Sequence, residues 1–219
     1  MLWETRSKAE KEFREDLKEV YEALSDGVSL LDKAIDEFER SSDKDLFFRL
    51  CALISLKSKN LVLALLSLIM EGLAQEGGAI LRPLVECTEM LAYLRLHFDN
   101  LDEVAEKIMN RKITAGKIGK EIEGDFKDLR KYLNENASHL SLSYDSLRHC
   151  LDMKTLKLNK VQKFNKKTFL KNLELLFSFL TFLLKECSNC LEKYGKGDIL
   201  KMRKVVMNKG IEAIRSIDK

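Results

Sequence analysis

Five side chains of the types used in acid–base chemistry and anion binding are spaced along the middle of the chain. They are Arg82, Glu86, Tyr93, Tyr132 and His139. A carboxylate beside a histidine can orient a general base, and an arginine can hold an anion. If the helices that carry them pack side by side, these residues form one candidate polar site. Because structural ion-pair networks are common, we favour a buried network that stabilises a helix bundle over a catalytic or binding pocket.

A second candidate site is a lysine-rich segment that could bind an anion. Between positions 154 and 171 the chain has seven lysines, and no acid occurs between Asp152 and Glu174. Lysines can neutralise the phosphates of a nucleic acid, but aromatic side chains that stack on bases are sparse here. We therefore favour a solvated connection over a nucleic-acid surface. The candidate anion-binding residues are Lys154, Lys157, Lys160, Lys163, Lys166 and Lys167.

The cysteines and the metal-ligand spacings point to no metal site and no cofactor. Cys187 and Cys190 have CxxC spacing, and His149 with Cys150 could complete four zinc ligands. The pair lies within an apolar helical pattern, where free cysteine usually behaves as a small buried side chain. The five cysteines do not form a disulfide-like framework, and residues 1–24 carry charges throughout, without a signal-peptide core. These features predict a cytoplasmic protein.

Charge is distributed unevenly along the 219 residues. The net charge is +3, but residues 1–149 have 22 basic against 28 acidic residues, and residues 150–219 have 16 against 7. The two parts therefore carry −6 and +9. The C-terminal third is a candidate surface for an anionic partner, or for the acidic part of a second copy.

The elements that must position these residues are helices. The chain is 45% hydrophobic and 33% charged and has one proline, a composition typical of long helices. Apolar residues recur at helical spacing from residue 13 to residue 38, which predicts one helix over 5–40 that continues through Gly27. Two more apolar helices are predicted to form an antiparallel pair that turns at Gly77 and Gly78. Pro83 belongs in a first helical turn, which places the start of the second helix near Ile80.

The first helix of this pair is predicted to be a core helix rather than a membrane span. Ser41 or Ser42 is its expected cap, and the polar residues 57–60 interrupt its apolar run. A membrane span needs about 20 consecutive apolar residues, which neither half provides.

We predict an all-α fold, a bundle of about six to eight helices around this central antiparallel helix pair, within a single domain. Its parts are a long N-terminal helix (1–40), the central helix pair (43–98), a basic connection (154–165) and C-terminal helices (166–217).

The motifs around the candidate polar site resemble those of a set of uncharacterised bacterial all-helical proteins. The chain reads Leu81-Arg82-x-x-x-Glu86, continues to Leu91-x-Tyr93-Leu94, and later has Tyr132 and Ser138-His139. In those proteins an L-R-x-x-x-E helix precedes a tyrosine segment that ends in histidine. The resemblance covers residues 45 to 145 and implies a helical fold without an agreed activity. The Arg-x4-6-His motif of helical ribonucleases is absent from this sequence.

Three functions fit these observations. The favoured hypothesis is a non-enzymatic interaction module that self-associates, with a dimer favoured, through its long N-terminal helix and basic C-terminal helix. The second is an RNA- or DNA-associated protein of a bacterial defence or mobile-element system that uses the lysine-rich segment. The third is an enzyme with a pocket at Arg82, Glu86 and His139.

Overall fold

The structure, a computed structural model, consists of seven α-helices in the part of the chain that it describes. That part comprises residues 4–42, 45–110, 112–122, 128, 130–131, 151–152, 155, 157–158, 164–192, 208 and 212. The helices are α1 (Glu4–Glu15), α2 (Lys18–Ser42), α3 (Leu46–Met70), α4 (Ala74–Leu96), α5 (Leu101–Met109), α6 (Ala115–Glu121) and α7 (Lys166–Glu192). A 3-10 turn spans Phe98–Asn100, and two-residue strands β1 (Leu151–Asp152) and β2 (Lys157–Leu158) pair antiparallel. The all-α prediction is confirmed.

The predicted central antiparallel pair is α3 and α4. Helix α3 packs against α2, α4 and α7, and α4 packs against α3, α6 and α7. Helix α7 lies beside the pair and packs against both of its helices. Leu84, Leu94, Leu176 and Leu183 are fully buried between these elements. Burial of such side chains, at about 1.5–3 kcal/mol each, stabilises the bundle.

The turn between α3 and α4 lies at Gly72, not at Gly77 and Gly78. Gly72 has a φ of 76°, the left-handed region that glycine enters without a Cβ penalty. The amide of Leu73 donates to the carbonyl of Leu68 at 2.8 Å, and that of Gly72 donates to Ile69 at 3.1 Å. These two bonds form a Schellman motif, which satisfies carbonyls at the end of α3.

Helix α4 therefore starts about two turns earlier than predicted, at Ala74 instead of Ile80. Gly77 lies within α4 where this helix approaches α3 closely, since a Cβ at this position would lie 2.7 Å from Leu65 Cδ1. Pro83 lies inside the helix rather than in its first turn. The prediction was wrong because it treated the glycine pair as a turn signal, whereas the packing of α4 against α3 requires a glycine within the helix.

The predicted single N-terminal helix is two helices, α1 and α2. The break falls at Asp16 and Leu17 rather than at Gly27, which lies buried inside α2. The amide of Leu17 donates to the carbonyl of Glu12, five residues earlier. Contacts between α1 and other helices accompany the break. Arg6 binds Glu71, which directly follows α3, and Glu12 binds Lys166 of α7. No glycine or proline marks this position in the sequence.

The cap of α3 is Asp45, which accepts the amide of Phe47 at 2.8 Å, and not Ser41 or Ser42 as predicted. Thr114 caps α6 by accepting the amide of Lys117, and Asn165 accepts the amide of Thr168 at 2.9 Å. Of the predicted basic connection, Lys157 lies in β2. Most of the predicted last basic helix lies outside the described residues.

Helix α3 has an unusual distribution of side chains between its two faces. Its buried face includes Cys51, Ser55 and Ser58, whereas Leu53, Leu56 and Leu63 are exposed. By length and composition, α3 is the one described helix that is long and apolar enough to cross a membrane. The polar residues 57–60 lie within it, and the helix continues through them. One third of its most apolar 18-residue window is buried against the rest of the bundle. Its buried face confirms a role in the core, but its outer leucines are uncovered.

Candidate functional site

The polar stripe of α4 contains the members of the candidate polar site that the structure describes. This stripe consists of Arg82, Glu86, Glu89, Tyr93 and His97. Arg82 Nε donates to Glu86 Oε1 at 3.1 Å, which is the pair that the i,i+4 spacing predicts. Both side chains are about one third exposed, at 37% and 29%. A pair as exposed as this stabilises a helix by about 0.3–0.5 kcal/mol. Arg82 is therefore engaged within its own helix.

Tyr93 and His97 continue this stripe and face α6. The two rings lie 4.3 Å apart between centroids, and His97 Nε2 lies 3.0 Å from Glu121 Oε1. Tyr93 is buried, and burial raises the pKa of its hydroxyl, with the charge of Glu121 adding to the rise. The described part of the stripe therefore makes a carboxylate–histidine contact between Glu121 and His97.

Glu89 is the most deeply buried member of the stripe. Its side chain is 1% exposed, and Arg130 Nη1 lies 3.3 Å from Glu89 Oε2. Within the described part of the chain, neither carboxylate oxygen has a hydrogen bond of good geometry, and Arg130 Nε also lacks one. Burial raises the pKa of the Glu89 carboxyl, Arg130 opposes the rise, and the charge of Glu86 adds to it. Removing Arg130 would leave a carboxylate without compensation in the core.

Gly119 of α6 provides the space for the Arg130 guanidinium. A Cβ at position 119 would lie 1.7 Å from Arg130 Nη1. The glycine therefore allows Arg130 to reach Glu89 across α6. The predicted site did not include Glu89, Arg130, Gly119 or Glu121. An acid on the same helical stripe as Arg82 and Glu86 was the available signal for Glu89.

The remaining members of the polar site, Tyr132 and His139, lie outside the described residues. Their convergence with Arg82 and Glu86 therefore stays a prediction. Among the described residues, the stripe is a series of ion pairs and ring contacts that joins α4 to α6. The structural network that the sequence favoured over a pocket therefore stays a prediction. The stripe contains one histidine–carboxylate pair, and the side chains of His97 and Glu121 in it are 33% and 48% exposed.

The lysine-rich segment is described only in part. Lys154, Lys160 and Lys163 lie outside the described residues, and Lys157 and Lys167 are exposed. Lys166 binds Glu12 and lies 3.9 Å from Asp16, so it joins the start of α7 to the end of α1. The hydrogen bond to Glu12 raises the pKa of Lys166. The one candidate lysine that has a partner on the described helices thus serves an intramolecular contact.

The cysteine pair lies in the core, as expected for structural thiols. Cys187 and Cys190 are buried on α7, and Cys187 Sγ lies 3.4 Å from Ser55 Oγ. Burial raises the pKa of Cys187 to about 12 and also raises the pKa of Cys51. Thiols in this state are poor nucleophiles and poor metal ligands. In the described part of the chain, histidines, cysteines and acids form no group of three that could hold a metal ion.

The outer face of α3 presents a row of six side chains at steps of four and three residues. This outer row consists of Arg49, Leu53, Leu56, Asn60, Leu63 and Ser67, of which the first five are exposed. Such spacing is that of the contact seam of a coiled coil. At the C-terminal half of the row, α1 and α3 enclose a cleft of about 200 Å³ lined by residues that include Phe13, Tyr21, Leu63, Leu66 and Met70.

Comparisons with models of known protein families, with curated proteins and with solved structures found no match to this chain. The resemblance to uncharacterised bacterial helical proteins therefore stays a prediction. Any function must be argued from the geometry of the bundle itself.

Proposed function

We propose that this protein is a non-enzymatic helical module that self-associates through the outer row of α3. The observation that carries the proposal is the exposure of Leu53, Leu56 and Leu63 on one face of a helix whose opposite face is in the core. Single exposed leucines are common, but a contiguous apolar patch on a helix is typical of an interaction surface. Completing the burial of three half-exposed leucines would contribute about 1 kcal/mol each.

The spacing and the charges of the row favour a second copy as the partner. Asn60 interrupts the leucines at one position of the seam, as in helices where a polar residue specifies the register of association. Arg49 lies at one end of the row, and Glu71, which Arg6 binds, follows its other end. A second copy related by a two-fold axis perpendicular to α3 brings Arg49 towards this acid.

This surface differs from the one that the sequence suggested. The N-terminal helices α1 and α2 bury their apolar faces against α3 and α7. Lys166, at the start of the basic region, already binds the acidic end of α1. The opposite charges of the two regions therefore meet within one chain at this point, which leaves α3 as the more suitable surface for a second copy.

Copurification of tagged and untagged full-length chains tests the proposal. Untagged protein is expected to copurify with the tagged protein, and Leu53→Lys with Leu63→Lys is expected to abolish this. The matched control is Leu96→Lys with Leu175→Lys, because Leu96 is 59% exposed like Leu53, and Leu175 is 43% exposed against 42% for Leu63. Equal copurification of the two double variants would contradict the proposal.

A membrane surface is the competing partner for exposed leucines, and a second assay separates the two. The wild-type chain is expected to stay in the supernatant when phosphatidylcholine vesicles are sedimented. Sedimentation with the vesicles that Leu53→Lys and Leu63→Lys abolish would assign the row to lipid and overturn self-association.

A further inference from the structure

We infer that two copies pair antiparallel along α3, with Leu53 of each copy seated at the α1–α3 cleft of the other. This inference rests on the proposed function and adds the orientation, the register and the receiving site. Each copy has both parts of such a contact: an exposed leucine at the N-terminal half of the outer row and a cleft at its C-terminal half.

The register follows from the seam geometry. In an antiparallel pair of helices, the two kinds of seam position face each other, so a residue at the start of the row faces one near its end. Of the registers that this rule allows, the one that overlaps the whole row sets Leu53 opposite Leu63 of the second copy and Leu56 opposite Asn60. Leu63 lines the cleft together with Leu66 and Met70. Leu53, the most exposed leucine of α3, therefore meets a recess that apolar side chains line together with Arg6, Glu10, Arg14 and Ser67.

Charge distinguishes the antiparallel orientation from the parallel one. A parallel pair would set Arg49 directly against Arg49 of the second copy, both on the seam. The antiparallel register sets Arg49 opposite Ser67, one helical turn from Glu71. There Arg6 donates to Ser67 at 3.4 Å and is shared by two acids, because it binds Glu10 and Glu71 at 2.9 Å each. The Arg49 guanidinium donates to the carbonyl of Ser42 at 3.3 Å.

The arrangement is self-complementary. Because the register is symmetric, each copy supplies one Leu53 and one cleft, and both contacts form at once. Such an isologous interface closes at two copies and gives a dimer rather than a filament. The exposed Arg14 also lines the cleft, together with Arg6 and Glu10, and it follows Glu10 by four residues on α1.

Disulfide trapping tests the orientation. Leu53→Cys and Leu63→Cys chains are prepared separately in a Cys87→Ser, Cys150→Ser background, then mixed and oxidised with copper–phenanthroline. The antiparallel register pairs position 53 of one copy with position 63 of the other. Two like positions are separated, because positions 53 and 63 lie ten residues apart on the helix, about 15 Å, which is beyond the reach of a disulfide. The mixture is therefore expected to give a covalent dimer, and each variant alone is expected to give none.

The other outcomes are equally decisive. Cross-linking of each variant alone, with none specific to the mixture, would show a parallel pair and overturn the inference while the proposed function stands. No cross-link in a chain that copurifies with itself would show that the copies associate in another register or through another surface, and would overturn the inference. The Leu53→Lys, Leu63→Lys copurification then distinguishes these two cases, because only association through the outer row is abolished by it. Failure of copurification itself overturns the proposed function first.

A charge substitution provides a test independent of cysteine chemistry. Arg49→Glu would bring a third acid beside Glu10 and Glu71 of the second copy, so we expect the dissociation constant to rise at least tenfold. Arg49→Gln removes the attraction without adding repulsion, and a smaller rise is expected. In a parallel pair, Arg49→Glu would replace the repulsion between two arginines by a repulsion between two glutamates. An unchanged dissociation constant would therefore overturn the inference.

Discussion

The buried pair of Glu89 and Arg130 is the interaction whose removal should cost most at the level of single residues. Arg130→Ala would leave the Glu89 carboxylate in the core without its counter-charge. Because breaking a buried pair costs about 3–5 kcal/mol, we expect the free energy of unfolding at pH 8 to fall by about 3 kcal/mol. Urea unfolding of the variant and the wild type measures this difference.

The loss should depend on pH in one direction only. Burial raises the folded-state pKa of Glu89 above its ordinary value, so its contribution to stability is fully present at low pH and is lost as the pH rises through the folded pKa. Arg130→Ala removes the opposing charge and enlarges this effect. The deficit of Arg130→Ala should therefore be smaller at pH 5 than at pH 8. A Glu89→Gln background should remove the pH dependence of the deficit, and a deficit that grows on acidification would contradict this account.

Gly119 should be required only because Arg130 lies over it. Gly119→Ala places a methyl group within 1.7 Å of the guanidinium and should destabilise the wild type by displacing Arg130. In a Glu89→Gln, Arg130→Ala background the same change should stabilise by up to about 1 kcal/mol, since alanine is the better helix former. Urea unfolding measures the change of sign. Gly116→Ala is the control, because a Cβ there meets no atom within 4 Å and should not depend on the background.

The sequence predicted part of this site because ion pairs within a helix follow from spacing alone. Arg82 and Glu86 lie four residues apart on one helix, and they pair as expected. Glu89 with Arg130, and His97 with Glu121, are pairs between helices. Such partners depend on how α6 and the residues after it pack on α4, and no local pattern encodes that packing.

At the level of the elements, the turn at Gly72 rather than the glycine pair should control the connection of α3 to α4. Gly72→Ala forces a Cβ into the left-handed region and should cost about 1–2 kcal/mol in urea unfolding. Gly72→Asn should cost less, because asparagine tolerates this region better than alanine does. An equal loss for the two variants, or none for either, would place the turn elsewhere.

Helical periodicity predicted which elements exist but not how they end. The seams of α2, α4 and α7 were readable because packed helices bury residues at steps of three and four. The break at Asp16 was not, because contacts of Arg6 and Lys166 with other helices accompany it and no local signal marks it. In α3 the buried face belongs to the core as predicted, but the middle of that face carries the small residues Cys51, Ser55 and Ser58, whereas leucines occupy the outer face. Hydropathy alone does not distinguish two faces that are both apolar.

Asn60 should limit how tightly the outer row associates. A polar side chain on a seam costs affinity while it specifies the register. Asn60→Leu should therefore strengthen self-association and weaken its preference for one register, as measured by the dissociation constant and by additional disulfide-trapped pairs. Weaker association of this variant would mean that Asn60 does not lie in the interface.

At the level of the whole molecule, self-association should appear as a stability that depends on protein concentration. Anything that binds only the folded chain stabilises it by mass action, and a second copy is such a ligand. The midpoint of thermal unfolding should therefore rise with concentration for the wild type. It should stay constant for the Leu53→Lys, Leu63→Lys variant, and a rise of equal size in that variant would exclude the outer row as the cause.

The all-α fold of the whole molecule followed from composition and periodicity, whereas its function did not. Charge totals suggested that the acidic and basic parts of the chain meet, and the contact of Lys166 with Glu12 shows one place where they meet within a single chain. The α3 leucines that are exposed are set by the packing of α2, α4 and α7 on the other side of the helix, and no local sequence pattern predicts that packing.

Sedimentation equilibrium of the full-length chain tests self-association most directly. The chain has a mass of 25.3 kDa. We predict twice this mass for the wild type and for the Leu96→Lys, Leu175→Lys control, and the mass of a single chain for Leu53→Lys with Leu63→Lys. A wild-type chain that sediments as a monomer throughout the micromolar range would contradict the account.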